Sequence, residues 1–119
     1  APDFTWDLYV MAGNPGVYDN KYAGSNNVNE GNVFNSPDGM AFSSDGLLWI
    51  QTDGDDSNAE EFKGQGNNQM LIGDPKTGEI ARFLTAPHGA EVTGSWPDNV
   101  GKPRSSVISI WREDGATIG

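Results

Sequence analysis

Cysteine is absent from the 119 residues, histidine occurs once, and only seven basic side chains stand against seventeen acids. The first absence excludes disulfide staples, thiolate catalysis and cysteine-ligated zinc or iron-sulfur centres. A single histidine rules out a paired-imidazole metal site. With a net charge of -10, the chain lacks the basic face that nucleic acid or an anionic membrane demands, so neither partner is expected. No apolar run approaches the ~20 residues of a membrane helix, and Ala1-Pro2-Asp3 does not begin a signal peptide. What the charge does fit is a solvated acidic surface or the binding of hard cations by carboxylate oxygens.

Long helices are excluded as well, because sixteen glycines and seven prolines interrupt the chain too often. An all-β fold is expected. Strands are read at Thr5 to Ala12, Gly39 to Ser43, Leu47 to Thr52, Gln69 to Gly73, Glu79 to Thr85 and Ser105 to Arg112, with a short extended piece at Glu91 to Thr93. Three Asp-Gly pairs, at Asp38, Asp45 and Asp53, read as turn signals, since glycine supplies the positive φ of a tight reversal. Three polar stretches separate the strands: Gly13 to Asn35, Gly54 to Asn68 with a short helix at Asn58 to Phe62, and Gly94 to Arg104. A connection as long as the first is functional or mobile in a compact domain.

The four strands from Gly39 to Thr85 make one antiparallel unit of about 45 residues, the size of a propeller blade. Closing a ring takes about 4 to 8 blades, or at least ~160 residues at about 40 per blade. The expectation is therefore a partial β-propeller: a single segment over 1–119, with one blade at about 38–85 plus parts of its neighbours. It is a piece of a larger ring, or copies self-associate, or propeller segments are missing. Leu47-Leu48-Trp49-Ile50 is apolar on both faces and demands cover on both sides. Trp6, Trp49, Trp96 and Trp111, with Phe34, Phe42, Phe62 and Phe83, are assigned to core and inter-blade packing.

Several strings, taken together, resemble the C-terminal part of the PhoX-type alkaline phosphatase family. They are Phe34-Asn35-Ser36-Pro37-Asp38-Gly39, Leu48-Trp49-Ile50-Gln51-Thr52-Asp53-Gly54, Gly66-Asn67-Asn68-Gln69-Met70-Leu71, Thr77-Gly78-Glu79-Ile80-Ala81-Arg82-Phe83 and Glu91-Val92-Thr93-Gly94. Trp6-Asp7-Leu8-Tyr9-Val10-Met11-Ala12-Gly13-Asn14 and Trp96-Pro97-Asp98 fit it too. The resemblance implies a β-propeller with calcium and iron in its central pore, a periplasmic or secreted location, and hydrolysis of phosphomonoester substrates. Two departures accompany it. Ser95-Trp96-Pro97 follows Gly94 directly, where the family continues through a further strand, turn and strand. The N-terminal blades, which in the family supply many ligands including a bridging cysteine, are not present, so the 119-residue chain is expected to be inactive by itself.

Asp53, at the end of a strand, is the first candidate metal ligand; the alternative is a turn aspartate bonded to its own loop. Glu91 is the second, because a lone acid among Ala90, Val92 and Thr93 needs a partner if buried. Asp38 is the third, set in a Pro-Asp-Gly that reads first as a turn. His88 and Arg104 are candidate phosphate contacts, as is Arg82, against the plainer readings of a surface histidine and ordinary ion pairs. The run from Asp53 to Gly64 fails as an EF-hand, with Asn58 at its sixth position and glycine at its twelfth. Neither a serine nucleophile elbow nor a phosphate loop is present, so the catalytic residues are unassigned. A metal-dependent phosphomonoesterase is the leading function. The alternatives are a non-catalytic shortened propeller that binds calcium or a protein partner, and a lactonase-like propeller sharing the Pro-Asp-Gly and Trp strand.

Overall fold

A computed structural model describes residues 2–97 and 106–112, and of 95–97 and 106–112 the backbone alone. Six strands follow in order: β1 (Pro37–Phe42), β2 (Leu48–Thr52), β3 (Gln69–Gly73), β4 (Ile80–Thr85), β5 (Ala90–Pro97) and β6 (Ser106–Arg112). The first four form one antiparallel sheet in chain order, and β5 pairs with β6. No α-helix occurs among the described residues; two 3-10 turns, Lys21–Ala23 and Glu60–Phe62, are the helical content. The second lies inside the stretch where the sequence places a short helix.

The burial of each strand follows its place in the sheet. Central β2 and β3 are buried on nearly every residue, whereas edge strands β1 and β4 alternate half-buried and exposed after their first residues, with Ile80 alone fully buried. That is what apolar-both-ways sequences do in the middle of a sheet and alternating ones do at its rim. Leu48, Ile50, Leu71 and Ile80 face one side, where Val28 and Phe34 cover them together with Tyr9, Val10 and Ala12. On the other side Met70 meets Ala86, Ala90 and Val92, flanked by Trp49 and Leu84. Thus the stretch before β1 covers one face and the start of β5 covers the other.

Several sequence expectations need correction. Thr5 to Ala12 forms no strand: its backbone polar groups are met by side chains, with Ser25 Oγ accepting from the Met11 amide at 2.7 Å and the Asn27 carboxamide donating to Tyr9 O at 2.8 Å. The extended piece at Glu91 to Thr93 is instead the eight-residue β5, and it takes in the first residues of the stretch from Gly94 to Arg104. Only the Asp45-Gly46 pair makes a tight reversal, with Gly46 at φ 84° between β1 and β2. Asp38-Gly39 lies within β1, and Asp53-Gly54 closes β2; both glycines keep negative φ and serve close approach instead. Trp6 is 84% exposed and not core, while Phe42 and Phe83 are more than half exposed. The side chains of Trp96 and Trp111 fall outside the described residues.

The long Gly13 to Asn35 connection is held by carboxamides. Asn32, buried, donates to Ile80 O at 2.8 Å and to Asn27 O at 2.9 Å, and accepts from the Asn29 amide at 2.7 Å. Val33 O takes Gln69 Nε2 at 2.9 Å and Arg82 Nη2 at 2.7 Å. Arg82 also donates to Gln69 Oε1, so this guanidinium, its pKa drawn below the usual value by burial, is engaged in holding the connection. Replacing Asn32 by Ala strands these buried groups without partners, at about 1 to 3 kcal/mol for each unmet group. Urea unfolding of Asn32→Ala should show a lower midpoint with an unchanged slope.

Candidate metal centre

Three chain segments deliver one acid each to the same end of the sheet. In β1 the register slips between Pro37, opposite Thr52, and Gly39, opposite Gln51. Asp38 is therefore the extra residue of a β-bulge, a device that re-aims a side chain out of the ladder. Asp53 follows the last residue of β2, and its amide donates to Ser36 O at 3.1 Å. Ser36 holds φ 47°, an uncommon geometry for a residue that precedes proline. The bend turns the chain into β1 and presents that carbonyl to Asp53.

Glu91 reaches the cluster through the alternation of β5. Ala90 and Val92 are each 2% exposed in the second core cluster, so the half-buried Glu91 points to the opposite face. Two adjacent carboxamides tie its strand to Asp53. Asn68 Oδ1 accepts from the Gly54 amide at 2.7 Å and from Thr52 Oγ1 at 3.2 Å, while Asn68 Nδ2 donates to Ala90 O at 3.4 Å. Asn67 Nδ2 donates to the same Ala90 O at 2.7 Å and to Ala86 O at 3.2 Å. Gly54 has no Cβ because the Asn35 carboxamide lies in the space one would fill.

The outcome is a carboxylate oxygen from each of Asp38, Asp53 and Glu91 within 4.8 Å of the others. Among the described residues none of the three accepts a side-chain hydrogen bond or forms an ion pair, so Asp53 is not bonded to its own loop. Burial, and then the facing Asp53 and Asp38 charges, hold the Glu91 carboxyl above its ordinary pKa. An all-oxygen, all-anionic set of this kind suits a hard divalent cation. The other candidates stand elsewhere: the His88 side chain is 87% exposed with Nδ1 3.1 Å from Asp56, and Arg104 lies outside the described residues.

The family model described as alkaline phosphatase PhoX matches residues 1–102. The chain belongs to the PhoX alkaline phosphatase family. Among solved structures, Pseudomonas fluorescens PhoX in complex with vanadate, a transition state analogue, is similar at 48% identity and a TM-score of 0.74. That match covers 92% of this chain and 23% of the PhoX chain, so the chain spans roughly a quarter of it. No curated protein matches. With this likeness the all-β fold is a partial β-propeller. No helix among the described residues is long and apolar enough to cross a membrane.

Asn67 and Asn68 carry much of the geometry, yet sequence reasoning took them only as part of a family string. The signal available was their position, directly before β3 and at the close of an acidic insertion. Asn68→Ala should cost about 1 to 3 kcal/mol, read as a lower midpoint of urea unfolding. In the metal-free chain, the raised Glu91 pKa makes the folded state bind more protons than the unfolded one. Stability then falls as pH rises from the ordinary carboxylate value through the raised one, with the loss complete above it. Glu91→Gln should remove this decline, which thermal melts across pH 4 to 8 will read.

Proposed function

We propose that this chain is a sector of a metal-dependent phosphomonoesterase in which Asp53, Glu91 and Asp38 hold calcium at the hub of a β-propeller. The observation that supports it is the meeting of three carboxylates, from three separate segments, with no cationic partner among the described residues, in a chain of the PhoX family. In this reading residues 1–119 form one segment, with the blade at about 38–85 and β5 and β6 belonging to its neighbour. Calcium is the cation the donor set suits best; iron, also implied by the family, meets no imidazole or thiolate in it. A bound divalent cation supplies Lewis-acid stabilisation of phosphoryl oxygens. The residues of this chain contribute by fixing the carboxylates before the ion arrives, through the β1 bulge, the Ser36 bend and the paired asparagines. His88 and Arg104 remain candidates for contact with phosphate. A periplasmic or secreted location accords with the family.

A second reading is favoured by the 23% share of the PhoX chain that this sequence spans: a shortened propeller that binds calcium without turnover, or that self-associates through the exposed Met40 and Phe42 of edge strand β1. One set of measurements separates the two. Calcium at about 100 times its Kd should stabilise the chain by about 2.7 kcal/mol, and Asp53→Ala should abolish that gain. In an assembled ring that includes this sector, hydrolysis of 4-nitrophenyl phosphate should require calcium and stop on chelation; activity undiminished by Asp53→Ala removes the role given to this centre, and an assembled ring that binds calcium without hydrolysis establishes the second.

A further inference from the structure

A cavity of about 600 Å³ is lined by Tyr18, Tyr22, Phe34, Phe62, Asn35 and Ser36 among others. Its size is that of a small-molecule site, and its wall is chiefly apolar with a few fixed polar groups, as such sites require. Ser36 belongs to both features: it lines the cavity, and its carbonyl holds the Asp53 amide. Asp38 is two residues further on, so its Cα is within about 7 Å of that of Ser36. That separation is comparable to the distance from the phosphorus of an aryl phosphate to the far side of its ring.

The lining is suited to a flat, unsaturated group. Tyr18 and Tyr22 stand with ring centroids 5.6 Å apart and planes at 57°, and Phe34 forms a fully buried base. Tyr22 is 57% exposed, so its ring is open to a ligand. The wall is set in advance, because Asn14 is buried with its carboxamide donating to Glu61 O and Lys63 O, both at 2.8 Å. Lys21, with Nζ 5.2 Å from the Tyr22 centroid, and Glu61 put one charge of each sign on the cavity wall.

We propose that this cavity receives the alcohol moiety of the phosphomonoester and favours an aromatic one, with the phosphate directed to the centre formed by Asp38, Asp53 and Glu91. The inference rests on the phosphomonoesterase reading of that centre. Aromatic stacking on Tyr22 supplies the preference, and the Ser36 to Asp38 spacing sets the register between ring and phosphate.

The test titrates the calcium-loaded chain with 4-nitrophenol, 4-nitrophenyl phosphate and glycerol 3-phosphate, followed by calorimetry and by the ring resonances of Tyr18 and Tyr22. The phenol should shift those resonances, and the aryl phosphate should bind more tightly than either the phenol or glycerol 3-phosphate. Tyr22→Ala should weaken phenol and aryl phosphate by about tenfold, with Tyr22→Phe restoring both. Glycerol 3-phosphate should be unaffected by either change. The exposed Tyr22 ring is absent from both core clusters, so these variants keep the fold. Equal affinity for the aryl and glycerol phosphates, unchanged by Tyr22→Ala, overturns the cavity assignment while leaving the metal centre standing. Phenol binding to which the phosphate adds nothing overturns the metal centre and with it the leaving-group assignment.

Discussion

The carboxamide of Asn68 is the constraint on which the candidate centre depends. It takes the Gly54 amide with its oxygen and gives its N–H to Ala90 O, so a single side chain spans the two segments that carry Asp53 and Glu91. Neither segment pairs with the other as strands do. β2 ends at Thr52 and β5 begins at Ala90, and without a cross-link the repulsion between their acids would part them. A short neutral amide can bond both sides without adding charge, which an arginine or aspartate in that place could not do.

The same economy of means recurs through the chain. Where an ordinary domain would extend its sheet, this one fastens extended backbone by Asn and Gln side chains: Asn27 to Tyr9, Asn32 to Ile80, Gln69 to Val33, Asn67 to Ala90. Each of these reaches across eighteen or more residues of sequence. They satisfy backbone carbonyls that burial would otherwise leave bare, and they allow the Gly13 to Asn35 connection to lie over the apolar face of the sheet as a cover. A small, acidic chain with no disulfide thereby orders long polar stretches that composition alone would assign to loops.

The four-stranded sheet was legible because its signals are local. Leu47-Leu48-Trp49-Ile50 is apolar on both faces, as a covered central strand is, and the Asp45-Gly46 pair marks the reversal between β1 and β2. Asp53, Glu91 and Asp38 were legible as acids in unusual contexts, and the structure brings all three together. What was hidden is non-local. That Asp38-Gly39 is a bulge and not a turn depends on its pairing with Thr52 and Gln51. The Thr5 to Ala12 segment has strand composition, yet its partners turn out to be Ser25 and Asn27 side chains. The role of Asn68 becomes visible only once Gly54 and Ala90 are side by side.

Dependence on carboxamides gives this protein a chemical clock. Asparagine is among the thermolabile residues, and its deamidation swaps the N–H donor for a carboxylate oxygen. At Asn68 that conversion would leave Ala90 O to Asn67 alone and set a fourth anion beside Asp53. Age and heat would thus damage the ion-holding end of the molecule while its aliphatic interior stayed intact.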